Sequence, residues 1–332
     1  MSGSDSGRPS ADLLVERPGL RTTVQDGGRP GFAHLGVPRG GAADWWSARL
    51  ANALVGNPAS AAVLETTLTG PTVRFGADGC IAVTGAPAPV TLDGVPLRVG
   101  AATPVRAGQR LAVGTARRGL RSYLAVSGGI GGPVVLGSRS ADSLAALGPA
   151  PLLAGQRLPL DGEAAQRPAA GCTRRAPDAL VASVLPTEPA ALRVIVEPTS
   201  QAAWFDDVAR RAVLAATFRV TPQSDRVGVR LAGPAVARRG GEFPTQGMVR
   251  GAIQVPPDGQ PIVLLADHAV TGGYPVFGVV IAADLPLLAQ ARPGTGVRFE
   301  AISQRRAAAA YAQRCAQLTG QLTGQLTDNG GG

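Results

Sequence analysis

Short runs of Val, Leu, Ile and Ala, each ended within a few residues by Gly, Pro or Asp, recur through the 332 residues. This punctuation most constrains the fold, because a chain interrupted so often cannot build long helices but suits many strands joined by tight turns. With 45 Gly and 28 Pro, the sequence predicts a mainly β protein whose helices are few and short. The apolar fraction, 45%, is enough to fill a sizeable core.

Local signals divide the chain. Residues 1–11 ("MSGSDSGRPSA") carry no apolar run and are expected to be disordered, and residues 12–160 read as an N-terminal β lobe. Within that lobe, "DWWSARLANALVGNP" reads as the first helix, with Asp44 as N-cap, Trp45, Leu50 and Leu54 along one face, and Gly56 with Pro58 at its end. Asp93-Gly94 between alternating apolar residues signals a hairpin. Residues 161–190 are polar and Pro/Ala-rich without a sustained period, which suits a linker or excursion. Strand-like runs resume over 191–303 as a second β lobe, with a helix near "TSQAAWFDDVARRAV" capped by Thr199 or Ser200. A helix near 303–316 leads into "QLTGQLTGQLTDNGGG", and 304–332 reads as helix and disordered tail. Strands that do not alternate with helices disfavour a parallel doubly wound sheet and favour paired barrels or sandwiches.

No lysine occurs, so all 32 basic residues are arginine. That excludes a Walker-A lysine, a Schiff base and a biotinyl or lipoyl lysine on this chain. The net charge is +9, but the arginines stand singly or in pairs without interleaved aromatics, which reads as solvated surface and not as a nucleic-acid platform. Cys80, Cys172 and Cys315 are far apart without metal spacing, as expected of reduced thiols in a cytoplasm, with Cys80 a small core residue. Two histidines over 200 residues apart argue against a metal site, and no run is apolar and long enough for a membrane span. The expectation is a soluble cytoplasmic protein.

Two stretches could carry chemistry. "ADHAVTGGYP", residues 266–275, follows the all-apolar run "PIVLLA", so its polar groups fall at the end of a core strand. There Asp267 and His268 suit an acid/base pair, and Thr271 with the amides of Gly272 and Gly273 suits an oxyanion holder beside Tyr274. A Gly-Gly turn with locally satisfied Asp and Thr explains the same letters. "TTVQDGGRPGFAHLGVPRGGAAD", residues 22–44, holds Gln25, Asp26, Arg29 and His34 in a long Gly-rich loop where backbone amides could nest an anion and an arginine could fork onto a carboxylate. An ordinary loop is the alternative, though loops of this length in compact domains are commonly functional or disordered. Glu65, in the apolar run "AVLETTL", either faces solvent or is buried with a partner, and Gln254 can donate and accept toward an amide or bind its own sheet.

In these segments the chain resembles the KipA / allophanate hydrolase subunit 2 family, also described as the biotin-dependent carboxyltransferase family or the family of the 5-oxoprolinase C subunit. The resemblance rests on "PGLRTTVQDGGRPGFAHLGVPRGGAAD", "ARLANALVGNPASAAVLETTLTGPTVRF", "RSYLAVSGGI", "SDRVGVRLAGP" and "GAIQVPPDGQPIVLLADHAVTGGYPVFGVVI", in order over about 13–302. It implies two cyclophilin-like β-barrel lobes. It also implies a subunit of an ATP-dependent 5-oxoprolinase, which opens pyroglutamate to glutamate beside KipI-like and LamB/YcsF-like subunits. Related duties in the family are carboxyl transfer from carboxybiotin to urea, and regulation by binding a KipI-like protein without chemistry. ATP with Mg, or carboxybiotin, would then sit on partner subunits, with nothing bound covalently here. For a small amide substrate, the resemblance implies catalytic roles for Asp267, His268, Thr271 and Asp26, and substrate contacts from Gln25, Arg29, His34, Glu65, Gln254, Gly272, Gly273 and Tyr274. Ala269, Val270 and Gln246 depart from the family pattern, which implies an altered substrate or a reduced catalytic role.

Overall fold

A computed structural model describes residues 11–161, 172–196, 204–241 and 243–324. Its architecture is mainly β, as the punctuation predicts. The first lobe is two antiparallel sheets face to face. One has six strands, including Asp12–Arg17, Thr72–Phe75 and Arg110–Val113, and the other has five, in the order Arg21–Gln25, Val63–Thr67, Arg121–Val126, Gly79–Gly85, Ala102–Val105. Leu13, Val15, Val73 and Phe75 from the first meet Val24, Leu64, Ile81 and Leu124 from the second in one core. The hairpin forms at Asp93-Gly94, both with positive φ, between Val90–Leu92 and Val95–Leu97.

Helix α1, Trp45–Leu54, covers the other face of the five-stranded sheet, with Trp46, Leu50 and Leu54 buried against Val63, Ala82 and Tyr123. Asp44 caps it, accepting from Ser47 N at 2.9 Å. The buried stripe runs through Trp46, while Trp45 is half-buried at the lobe boundary, where its Nε1 donates to Ala282 O at 2.9 Å. Covered on both faces, Arg121–Val126 and Gly79–Gly85 are buried at every position.

The second lobe is a closed seven-stranded barrel, in the order Ala190–Ile195, Val276–Val280, Ala252–Gln254, Ile262–Leu264, Gly228–Ala232, Phe218–Val220, Gly296–Ala301. The last strand returns parallel to the first and closes it around Leu192, Phe218, Ile253, Val263 and Phe299. Helix α2, Asp178–Ala182, packs on the first lobe, α3, Asp207–Ala215, packs on the barrel, and α4, Leu285–Ala289, and α5, Gln304–Gly324, bridge toward α1.

Several expectations are corrected. In the excursion, 162–171 lies outside the described residues, but 172–184 is packed structure: Ala176, Leu180 and Val184 are buried in the cluster under α1. Cys80 and Cys172, expected as separate thiols, are joined as a disulfide, because the excursion returns to the strand that starts at Gly79 and brings their Cα atoms to 5.8 Å. The cap of α3 is Asp206, accepting from Ala209 N at 2.7 Å, and Thr199 and Ser200 lie outside the described residues. Residues 317–324 of the expected tail are helical, with Leu318 packed near α1, while 1–10 and 325–332 lie outside the described residues. The arginines are not all solvated surface: Arg29, Arg121 and Arg226 are at most 5% exposed. A guanidinium tolerates burial when carbonyls or carboxylates take its donors, and each of these has such partners. No helix among the described residues is long and apolar enough to cross a membrane.

Candidate active site

Glu65 lies directly opposite Thr23 and Tyr123 on the two neighbouring strands. That register places the Tyr123 hydroxyl to donate to Glu65 Oε2 at 2.8 Å, and Ala43 N donates to the same oxygen at 2.8 Å. Its other oxygen crosses to the second lobe, where Arg226 Nη1 donates at 2.5 Å. Arg226 precedes the strand Gly228–Ala232 and Asp267 follows the antiparallel neighbour Ile262–Leu264, so both emerge side by side at one end of the barrel. The Asp267 N–H donates to Arg226 O at 2.9 Å, which extends the pairing. Arg226 then forks onto Asp267, Nε to Oδ2 at 2.9 Å and Nη2 to Oδ1 at 2.7 Å, while Nη2 also reaches Gly41 O at 2.8 Å. One guanidinium thus fastens both lobes to the Gly-rich loop.

Burial by itself would raise both carboxyls. For Glu65 the charges of Arg226 and Arg121, with Arg121 Nε 3.5 Å away, outweigh it and hold the group below its usual range. For Asp267 the fork from Arg226 and two hydrogen bonds from Ser143 do the same. Arg226 is driven upward by its two carboxylates despite burial. Arg250, which donates to the carbonyls of Ala42 and Ala43, has no carboxylate partner among the described residues, and burial followed by repulsion from Arg226 lowers it to about 10. His268 is lowered by burial above all, with Arg250 adding to the effect, so it is neutral at pH 7. Its Nδ1 carries the proton, donated to Ala269 O at 2.8 Å, because a carbonyl can only accept.

These shifts predict acid sensitivity. Glu65 and Asp267 have lowered folded values, so their contribution to stability is present above the ordinary carboxylate range and is lost as pH falls through those values. His268, lowered from 6.5, acts in the same direction from about pH 6.5 downward. Asp44, raised chiefly by burial, opposes them, since its protonated form is the one the fold favours. Urea denaturation should therefore show unfolding free energy declining below about pH 6.5 and more steeply below about pH 4. A profile that stays flat as pH falls below about 4 would contradict the buried ionic cluster.

Arg226 and Asp267 form part of the wall of a cavity of about 320 Å³ between the lobes, shared with Gln25, Asp142 and Ser143. Gln25 Nε2 donates to Ala141 O at 3.0 Å and Thr23 Oγ1 at 3.1 Å, leaving Oε1 buried without a donor. Asp142 Oδ1 accepts from the amides of Leu144 and Ala145 at 3.0 and 2.8 Å, leaving Oδ2 in the same condition. Buried acceptors normally find a donor. Two without one belong to residues in the wall of this cavity, although both oxygens are themselves buried.

The carboxyltransferase domain, subdomains A and B, matches residues 35–301. The chain belongs to this carboxyltransferase family. It is 39% identical to the C subunit of 5-oxoprolinase from Escherichia coli (strain K12), over 86% of this chain and 90% of that one. Among solved structures, TTHA0988 superposes with a TM-score of 0.78 at 39% identity, covering 89% of this chain. The K. lactis urea amidolyase superposes with a TM-score of 0.86 at 28% identity, covering 96% of this chain. This chain spans only 57% of the TTHA0988 chain and 20% of the amidolyase.

In this carboxyltransferase chain the two Gly-rich stretches do converge, since Gln25 and Asp267 share one cavity, but not every expected residue reaches it. Asp267 is committed to Arg226 and Ser143 and does not orient His268, whose Nδ1 proton is held by Ala269 O; His268 is buried but is not among the cavity's lining residues. Asp26 spends its carboxylate on Gly28 N, Arg139 N and the hydroxyls of Ser138 and Ser140, at 2.5–2.7 Å, which pins the loop in place. Arg29 serves the same loop through Ser140 O and Val135 O. His34 is exposed on a single 3-10 turn, its Nδ1 3.0 Å from Gly31 O. Thr271 and Gly272 pair with Gly247 and Gln246, and a side chain on Gly272 would collide with the Gln254 amide and Met248. That hairpin, with Gln254 beneath it and Gly273 and Tyr274 exposed, is not part of the cavity wall. Glu65 is 2% exposed, which decides against the solvent-facing alternative. Arg226, Asp142 and Ser143 were missed. Arg226 stood in plain view in "SDRVGVRLAGP", but a single arginine before a strand carries no local sign that a carboxylate 161 residues away will meet it.

Proposed function

We propose that this carboxyltransferase-family chain is one subunit of an ATP-dependent 5-oxoprolinase, opening the ring of 5-oxoproline to glutamate and active only in a complex with KipI-like and LamB/YcsF-like subunits. The observation that carries the reading is the cavity between the lobes, walled by Gln25, Ser143 and the Arg226–Asp267 fork; Gln25 Oε1, fully buried and without a donor, is the acceptor a lactam N–H would reach if the wall opens on binding. The 39% identity to a 5-oxoprolinase polypeptide over nearly its whole length supports it. With no lysine for a phosphate loop or a biotin attachment, activation by ATP belongs to the other subunits. The work left to this chain is to exclude water, orient the amide and stabilise charge with groups that need not rearrange.

The test is reconstitution: 5-oxoproline, ATP and Mg with this chain and the two partner subunits should yield glutamate, and omission of this chain should abolish it. No glutamate from the complete mixture would end the proposal. The likeness to urea amidolyase, with its TM-score of 0.86, favours carboxyl transfer to an amide as a second reading. Fixation of labelled bicarbonate dependent on a biotinylated partner would identify that outcome.

A further inference from the structure

A second and larger cavity, of about 570 Å³, is also built at the lobe boundary. It shares no lining residue with the smaller one. Gly41, in the wall of the larger, accepts at its carbonyl from Arg226 Nη2, in the wall of the smaller, so the Gly-rich loop and that guanidinium stand between the two.

The walls are mostly apolar. Val279 and Ile281 from the barrel join Trp45 of α1 and Ala307 and Tyr311 of α5. Trp45 and Tyr311 form a tilted aromatic pair with ring centroids 5.3 Å apart. Val249, 55% exposed, and Tyr311, 37% exposed, also line this space, and apolar side chains left uncovered around a concavity of this size mark a small-molecule site.

The charges in the wall are of one sign. Arg39, Arg49 and Arg250 line the cavity, and none of them pairs with a carboxylate among the described residues. The Arg49 guanidinium lies 5.0 Å over the Trp45 ring. Asp26, the acidic residue of the lining, is spent on Gly28 N, Arg139 N and two serine hydroxyls. Glu65, whose charge reaches Arg250, is already held by Arg226 and Arg121. Arg250 therefore keeps its charge against burial and against repulsion from Arg226 and Arg39. Its Nη2 donates to the carbonyls of Ala42 and Ala43, while Nη1 has no acceptor among the described residues and is not buried. An incoming anion would find a free donor and relieve the repulsion.

We propose that the larger cavity binds a small organic carboxylate with an aromatic body, its carboxylate on Arg250 Nη1 and its ring against Trp45 and Tyr311. This site is separate from the one assigned to the lactam, and its ligand differs in bulk and in apolar character.

The experiment is isothermal titration of the full-length chain with 1-naphthaleneacetate, with 1-naphthaleneacetamide, which has the ring without the charge, and with acetate, which has the charge without the ring. Wild type should bind 1-naphthaleneacetate saturably with Kd below about 1 mM, at least about tenfold tighter than the amide or acetate. Arg250→Met should weaken the acid at least about tenfold and leave the amide unchanged. Ala308→Trp, which sets an indole in the cavity from an exposed position on α5, should weaken both with an unchanged thermal midpoint. No saturable binding of the acid by wild type would overturn the proposal, and so would equal affinity for acid and amide. Unchanged acid affinity in Arg250→Met would overturn the role of the arginine. If that variant loses thermal stability, Ala308→Trp decides, because binding indifferent to it would place the ligand elsewhere. The readout is binding without turnover, so the result is independent of the oxoprolinase reading.

Discussion

Arg226→Met is expected to lower the unfolding free energy by about 3–5 kcal/mol, because it leaves two buried carboxylates facing each other across the lobe boundary without their shared cation. Glu65 is 2% exposed and Asp267 is 0% exposed, so neither can turn to water when the guanidinium is removed. Arg121, 3.5 Å from Glu65, retains part of the compensation there, but Asp267 keeps only its Ser143 donors. Methionine fills similar space, which separates loss of charge from loss of volume. Urea denaturation at pH 7 measures the effect. A second variant makes the argument two-sided: replacing Glu65, Arg226 and Asp267 together by Leu, Met and Leu should recover much of the loss, since an apolar trio no longer has charges to desolvate. A single-variant loss below about 1 kcal/mol, the range of exposed ion pairs, would mean that the cluster is hydrated and not buried.

Gln25→Met should reduce glutamate formation by the complete assembly about 100-fold while the chain remains folded. The loss has the size expected when one buried hydrogen bond to the substrate is removed and the substrate N–H is left without an acceptor. The substitution also deprives Ala141 O of its donor, for a stability loss of about 1–3 kcal/mol, which thermal denaturation can read separately. Less than a threefold fall in turnover would show that the lactam is held elsewhere. The hairpin of Gln246–Gly247 and Thr271–Gly272 would then become the next place to look, since Gly272 packs there against the Gln254 amide, outside the cavity.

Local structure was legible to the extent that local rules decide it. Asp44 caps α1 and Asp93-Gly94 turns its hairpin because capping and positive-φ turns involve partners only a few residues away. The strands of the barrel and of the paired sheets appear where apolar runs stand between Gly, Pro and Asp. The cap of α3 moved to Asp206 within the same polar stretch, a shift of register and not of element type.

The candidate site was legible only in part, and the boundary follows range. Gln25 and Asp267 could be singled out because each falls in a polar, Gly-containing stretch that follows a strand-like run. Arg226 could not, because its importance comes from Glu65 and Asp267, which approach it only after the barrel closes and docks on the first lobe. The same holds for the disulfide, whose cysteines are 92 residues apart. His268 and Asp26 mislead for the complementary reason: their residue types suit catalysis, yet the folded chain occupies them with Ala269 O and with the Ser138–Ser140 loop.

By itself, then, the amino-acid order determined the mainly β architecture, the turns and caps, the absence of any lysine chemistry and the segments where polar groups gather. Tertiary structure alone decided which charges are buried together, which acceptors are left without donors and which residues share a cavity. Periodicity and turn chemistry act over a few residues, whereas the cost of desolvating a charge, and the partner that offsets it, are set by groups that distant parts of the chain bring together.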